Sequence, residues 1–261
     1  MKILITNDDG IFAPGVQALA DLLSHFGEVT VVCPETEKSA YSHKITLRQP
    51  LKLKKVDFAS HAEAFAVNGS PADCVKLGME VLLPEKPDIV FSGINIGPNV
   101  GRDLYYSGTI AAAQEAMLYQ VPSVSVSLET FDSRKIKFDI VKQLLYQVVE
   151  VIVQNKIPKN LMLNVNLPYT SKELCKGVRV VPMDLSVSRY NFAGLNDPHG
   201  HIYYWLKDHY HELELNEGTD YHLLREGYVT ISPIELVHTR KRRIDQLTRW
   251  FYQYTNLQEE K

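Results

Sequence analysis

The sequence predicts an α/β fold, a three-layer sandwich with a mostly parallel sheet, followed by a smaller β-rich C-terminal extension. Three observations predict it. Short apolar runs alternate with helix-period segments over the first 150 residues, and several of those runs end in clusters of small and polar residues. After about residue 170 the helix period gives way to short alternating stretches. Regular strand–helix alternation builds a parallel sheet with helices on both faces, because each crossover must carry the chain back across the sheet.

Residues 1–5 read as a short buried strand ending at Thr6-Asn7-Asp8-Asp9-Gly10. Val16, Leu19, Ala20, Leu23 and Phe26 keep the i, i+3, i+4, i+7 spacing of an amphipathic helix. Residues 29–33 form a second strand, closed by Pro34. Ser70 before Pro71 has the form of an N-cap with proline at the first helical position, opening a helix to about Leu82. Residues 88–92 are another buried strand, Thr109 to about Tyr119 is alanine-rich and helical, and residues 121–128 return to strand. Ile140, Val141, Leu144, Leu145, Val148, Val149 and Ile152 mark a long helix with one packed face. Beyond it, residues 178–181, 201–206 and 228–234 alternate as strands do. Ile244, Leu247, Phe251 and Tyr254 mark a C-terminal helix with an aromatic face. The expected division is a Rossmann-like catalytic core at 1–170 and, at 171–261, a β-rich extension with the C-terminal helix. That extension suits contacts within a homodimer or homotetramer.

Composition narrows the function classes. The 261 residues are 45% hydrophobic and 23% charged, ordinary for a globular protein. A net charge of -3 gives no electrostatic reason to expect a nucleic-acid polymer or a membrane surface as partner. Cys33, Cys74 and Cys175 are odd in number and widely spaced, so they form neither a disulfide framework nor a zinc knuckle and read as structural thiols. His199, His201, His209, His211 and His222 match no zinc spacing. The N-terminus opens into a strand without the regions of a signal peptide, and no apolar run approaches a membrane span. A cytoplasmic protein is expected.

Ligands of open parallel sheets bind just outside the carboxyl ends of the strands, which makes the polar loops there the candidates for function. Asp8 and Asp9 are adjacent acids. Unit charges about 4 Å apart repel by about 1 kcal/mol in water and about 4 kcal/mol at an effective dielectric near 20, and a divalent cation reverses that sign. The same residues also have the composition of a turn before a helix cap. Ser107-Gly108-Thr109 opens the alanine-rich helix, where free N–H groups and the helix dipole make either a phosphate cradle or an ordinary cap. Asn95 lies among glycines that let a chain wrap a ligand or simply turn. Arg102 and Asp103 read as a ligand clamp or a surface ion pair, and His43 as an acid/base or a solvated side chain.

The motifs gain meaning together. Asn7-Asp8-Asp9-Gly10 with Ala13-Pro14-Gly15, Ser39, and Gly69-Ser70-Pro71-Ala72-Asp73-Cys74-Val75 form one set. Ser92-Gly93-Ile94-Asn95, then Gly97, Asn99, Gly101 and Asp103, and Tyr106-Ser107-Gly108-Thr109 form a second. Asn164-Val165-Asn166-Leu167-Pro168, Asp197-Pro198 with Gly200 and Tyr204-Trp205, and Gly218-Thr219-Asp220 follow. On these residues, over about 1–235, the chain resembles the SurE family of stationary-phase survival proteins, which act as metal-dependent 5′-nucleotidases. The resemblance implies one divalent metal ion held by Asp8, Asp9, Ser39 and Asn95. It implies a phosphate held by Asn95, Ser107, Gly108 and Thr109, with Asp8 and Asn95 catalytic. Four hard oxygen donors favour Mg²⁺ or Mn²⁺ over zinc.

The expected substrate is a nucleoside monophosphate, with 3′-nucleotides and short polyphosphate as further candidates. The expected chemistry is attack on phosphorus by a water that the cation acidifies. Asp8 as a nucleophile, in an aspartyl-phosphate phosphatase, and a non-catalytic nucleotide-binding regulatory protein are the rival readings. Two departures from the family pattern stand out. Glu35-Thr36-Glu37-Lys38 replaces an Asp-Arg-Asn-Arg-like stretch and Ala40 replaces a glycine, which removes arginines from the Ser39 loop; Ser70 stands where threonine is usual.

Overall fold

A computed structural model describes residues 1–58, 62–131, 136–236 and 239–255, the last three of these as backbone. In chain order its main elements are β1 (Lys2–Thr6), α1 (Pro14–Leu23), β2 (Glu28–Pro34), β3 (Leu53–Val56), β4 (Glu63–Val67), α2 (Pro71–Leu77), β5 (Ile89–Ile96), α3 (Gly108–Leu118), β6 (Ser123–Glu129), α4 (Asp139–Gln154), β7 (Leu161–Pro168), β8 (Val178–Val180), β9 (Tyr190–Asn196), β10 (Ile202–Asp208), α5 (Asp220–Arg225), β11 (Val229–Glu235) and α6 (Lys241–Thr255). The main sheet has the order β3-β4-β2-β1-β5-β6-β7-β11-β8. Its centre, from β4 to β7, is parallel, while β3 and β11 run antiparallel to β4 and β7. The fold is α/β and mostly parallel, as its strand–helix alternation predicts.

Period-two alternation explains the layers. Ile3 and Ile5 of β1 face one side, with Phe91, Val124, Val126 and Val165, and there meet Leu19 and Leu23 of α1 and Leu145 and Val149 of α4. Leu4 and Val90 face the other side, under Cys74 and Val75 of α2 and Ala112 and Ala116 of α3. The chain leaves β1 towards β2, then returns across it to β5 and continues the opposite way. The strand order therefore reverses between β1 and β5, and the loops leaving those two strands part from each other there. That gap is the crevice in which open sheets bind ligands.

Sequence and structure differ at definite places. The sheet does not stop at residue 170, since β8 and β11 complete its edge, and only β9 and β10 stand apart as a two-stranded ribbon. α1 ends at Leu23 rather than at Phe26, and the helix from Pro71 changes at Gly78 to one π-helical turn, closed by Leu83 N–H on the Gly78 carbonyl at 3.0 Å. β3 and β9 lack an apolar run because neither has a buried face, and α5, at six residues, is too short to show a period. β10 is exposed along its whole length, including Tyr203, Tyr204 and Trp205, and α6 exposes Ile244, Leu247 and Phe251; the side chain of Tyr254 lies outside the described set. Among the described residues no helix is long and apolar enough to cross a membrane.

Two long-range contacts fix the loop after β5. Asp220, fully buried, accepts Gly101 N–H at 2.7 Å and Asp184 N–H at 2.8 Å. A buried polar seam continues from it: Asn99 N–H donates to Asn166 Oδ1 at 2.8 Å, its side chain donates to Ser127 Oγ at 2.8 Å, and its carbonyl accepts from Asn164 and Asn166.

α1 begins against β5, and Gly15 makes that approach possible. A Cβ at this position would lie 2.2 Å from the Ile94 carbonyl oxygen. Gly15→Ala is expected to cost about 3 kcal/mol in urea-induced unfolding, the upper end for overpacking, since backbone rather than a flexible side chain must move.

Candidate active site

β1 ends in a closed turn. Asn7 Nδ2 donates to the Gly10 carbonyl at 2.9 Å and Gly10 N–H returns to Asn7 Oδ1 at 3.2 Å, with Gly10 at φ +102°. Asn7 is thus structural, and the turn sends Asp8 and Asp9 into different surroundings. Asp8 is buried against the N-terminus of α3, where Thr109 donates its hydroxyl to Oδ1 at 2.5 Å. Burial raises the Asp8 carboxyl, while that hydroxyl and the N–H groups of Thr109 and Gly108 pull it down. Gly108 permits the contact, because a Cβ there would stand 2.8 Å from Asp8 Cβ. Ser107 caps the helix by accepting Ile110 N–H at 3.2 Å.

Asp9 is half-buried, with Oδ2 fully enclosed and without a hydrogen-bond partner. Burial pushes its carboxyl up to about 7, negative Asp8 and Glu37 add to this, and Ile96 N–H opposes it. The pairing of β5 with β6 shifts register between Ser92 and Asn95, placing Asn95 at the strand end with Nδ2 donating to the Gly97 carbonyl at 2.7 Å. Its Oδ1 is the end left for a ligand. Ser39 is exposed and donates to Glu37 Oε1 at 2.6 Å. Its loop is tied to both neighbours: Lys38 N–H donates to the Asp8 carbonyl at 2.6 Å, and Ser42 donates through N–H and Oγ to the carbonyls of Tyr106 and Tyr105.

Asp8, Ser39, Asn95 and Ser107 line one open cleft of about 190 Å³. Asp9, Gly108 and Thr109 stand behind this wall. The Thr109 hydroxyl, expected to face a phosphate, is instead fully buried and holds Asp8. Arg102 and Asp103 do not pair with each other. Arg102 donates to the carbonyls of Leu185 and Ser186, and Asp103 pairs with Arg189 at 3.1 Å. Arg189 and Tyr190 complete the cleft with Asp103, and neither was legible in a stretch of sequence without period or motif. His43 is not free in solvent: its Nε2 meets the buried Glu115 at 2.7 Å. His201 and His209 bond to Asp197 and Glu212 at the surface, and Lys241-Arg242-Arg243 opens α6 on an exposed face.

The residues fit a hard divalent cation. Asp8 lines the cleft and Asp9 follows it, close enough for the Asp8 charge to raise its carboxyl. The enclosed Asp9 oxygen has no hydrogen-bond partner, and the neutral donors at hand are the oxygens of Asn95 and Ser39. Among the described residues no group of three or more His, Cys, Asp or Glu side chains is gathered for a metal, so neutral oxygens must complete any such shell.

Fold and site together define an α/β protein with an acidic, oxygen-donor centre at the sheet's switch point. The sequence pattern of the family described as Survival protein SurE matches residues 3–189. The chain is 45% identical over 251 residues to the 5′-nucleotidase SurE of Thermoanaerobacter sp. (strain X514), covering 96% of this chain and 98% of that one. It is 40% identical to the 5′-nucleotidase SurE of Heliobacterium modesticaldum, over 96% and 92%. The crystal structure of the SurE protein from Aquifex aeolicus superposes with a TM-score of 0.83 at 35% identity, covering 96% of this chain and 99% of that one. The chain belongs to the SurE family.

Asp9 makes the apo protein sensitive to pH. In the folded protein its pKa of about 7 lies above the ordinary aspartate value of 3.8, so the folded form binds this proton more tightly. The stability it contributes is full below pH 4 and is lost as pH rises through 7. In chelator, Asp9→Asn is therefore expected to be more stable than wild type at pH 8 by about 2 kcal/mol, an advantage that shrinks towards pH 5. Thermal unfolding of both proteins at the two pH values checks it.

Proposed function

We propose that this chain is a metal-dependent phosphomonoesterase that hydrolyses nucleoside monophosphates, a 5′-nucleotidase like the relatives that carry that name. The observation that carries the reading is the acid pair at the switch point, with one Asp9 oxygen enclosed and without a hydrogen-bond partner. Asp8, Asp9, Asn95 and Ser39 would hold Mg²⁺ or Mn²⁺. When bound, such an ion supplies charge neutralisation for the phosphoryl group and an acidified water as nucleophile.

The chain's own residues do the rest. Thr109 holds Asp8 Oδ1 in one orientation, which fixes the carboxylate before substrate arrives. Ser107 lines the cleft at the N-terminus of α3, where its hydroxyl hydrogen and the positive end of the helix favour a phosphoryl oxygen. Asn95, its amide held by the Gly97 carbonyl, lines the same cleft and leaves its side-chain oxygen to accept or ligate there. An open cleft also admits 3′-nucleotides and short polyphosphate, which we include in the substrate range. The exposed aromatic faces of β10 and α6 fit burial against further copies of this chain, as a homodimer or homotetramer.

p-Nitrophenyl phosphate and 5′-nucleotides, offered with Mn²⁺, Mg²⁺ or EDTA to wild type and Asp8→Asn, test the reading. Turnover is expected with either metal, none in EDTA, and a loss of at least about tenfold in kcat/KM for the variant, since residues that only orient metal ligands already cost about ten- to a hundredfold. Absence of metal-dependent turnover in every condition points to a nucleotide-binding protein without catalysis. A phospho-aspartate trapped at Asp8 replaces water by the carboxylate as nucleophile.

A further inference from the structure

Among the described residues that line the cleft Arg189 is the only cation, and its position there is built. The side chain is 10% exposed. Nη1 lies 3.1 Å from Asp103 Oδ2, Nη2 donates to the Tyr190 hydroxyl at 2.5 Å, and the guanidinium stacks over the Tyr190 ring at 4.7 Å. The backbone holds it too, since the Arg189 carbonyl accepts His209 N–H at 2.8 Å. Nε is enclosed, makes no hydrogen bond and faces Asp208 Oδ2 at 3.6 Å as an ion pair. Nη2 carries a second N–H beyond the one given to Tyr190, and a planar fork held on its other sides is well shaped for a phosphate oxygen.

Charge accounting leads to the same place. A divalent cation on Asp8 and Asp9 leaves those three charges balanced, and a phosphate monoester dianion still needs a positive partner. Ser107 supplies a hydroxyl and a helix end, but no full charge. Two carboxylates face Arg189, Asp103 at 3.1 Å and the more exposed Asp208 at 3.6 Å. Asp103 offsets it only in part, because burial lifts that carboxyl to about 7 even with the guanidinium beside it. Asp103 is also joined to the cradle by its backbone: its carbonyl accepts the N–H groups of Tyr106 and Ser107 at 3.0 and 3.1 Å. The turn that ends in Ser107 and the side chain that faces Arg189 therefore move as one unit.

We propose that Arg189 is a substrate-binding residue that takes the phosphoryl group through its guanidinium, with Asp103 as the positioning residue that holds the guanidinium at the cleft. This rests on the phosphomonoesterase reading of the same cleft. The contact is made to the phosphoryl group, the part shared by every substrate named above, and not to the nucleoside.

Arg189→Met is expected to raise KM for p-nitrophenyl phosphate and for a 5′-nucleotide alike by at least about tenfold, the usual effect of a lost hydrogen bond to a charged group. The loss falls on KM more than on kcat, and Arg189→Lys recovers part of it. The Mn²⁺ concentration for half-activation stays at the wild-type value. Because Arg189→Met leaves Asp103 buried without its partner, the double variant Asp103→Asn/Arg189→Met is measured beside it. KM that remains raised in the double variant supports the assignment, and KM restored to wild type overturns it. A KM rise with the nucleotide but not with p-nitrophenyl phosphate also overturns it, since the contact would then lie on the nucleoside. Calorimetric titration of inorganic phosphate in Mn²⁺ separates this assignment from the catalytic reading. Binding to wild type that weakens at least about tenfold in Arg189→Met supports it whether or not turnover is seen. Equal binding, or none to wild type, sinks it. Absent turnover with this weakening intact counts against the enzyme reading alone.

Discussion

The carboxylate of Asp8 at the N-terminus of α3 is the contact around which the site is arranged. A buried carboxylate is unfavourable in its charged form, and only closely placed donors offset that cost. Here they come from one helix end: the Thr109 hydroxyl and the N–H groups of Gly108 and Thr109. The contact draws the loop after β1 against the helix between β5 and β6, across the gap where the strand order reverses. Once it is made, neighbouring pieces have little freedom. Lys38 N–H on the Asp8 carbonyl seats the Ser39 loop, and Ser107, one residue before Gly108, is carried to the cleft wall.

Much of this was legible from the residues and some could not have been. The apolar runs at 1–5, 29–33 and 88–92 identify central parallel strands because such strands are buried on both faces. Asp8-Asp9, Asn95 and Ser107 were legible as a group, since each follows a predicted strand and strand ends share one side of the sheet. The contact made by the Thr109 hydroxyl was not legible: at a helix N-terminus it fits an external phosphate and a buried carboxylate equally well, and only the packing of the loop after β1 against α3 directs it to Asp8. Arg102 and Asp103 misled because adjacency in sequence resembles partnership in space. The true partner of Asp103 comes from just before β9, a ribbon with no buried face to announce it.

Underneath the cleft the structure accepts polar groups in its core to hold a loop still. Ser127, Asn164 and Asn166 surround Asn99, and nearly every hydrogen-bonding group of that asparagine is engaged. Networks of this kind rigidify when complete and are costly when one member fails. The seam gives the residues between Asn95 and Asp103 a defined floor without any regular secondary structure of their own until the short 3₁₀ turn at Gly101–Tyr105. Apolar packing alone would leave such a glycine-rich stretch with many arrangements of similar energy.

Asp220 closes that stretch from the far end of the chain, through Gly101 and Asp184. The consequence reaches back to synthesis. While the ribosome is still translating the ribbon, β1, α1 and β2 can already pack, but the loop from Asn95 to Asp103 has neither its guanidinium partner nor its carboxylate anchor. Contacts of such long separation form late, after loop closure has been overcome. The carboxylate of Asp8 can meet the N-terminus of α3 once residues 108–118 have emerged, but the cleft gains its guanidinium and the anchor of its floor only after residues 189 and 220 join the fold.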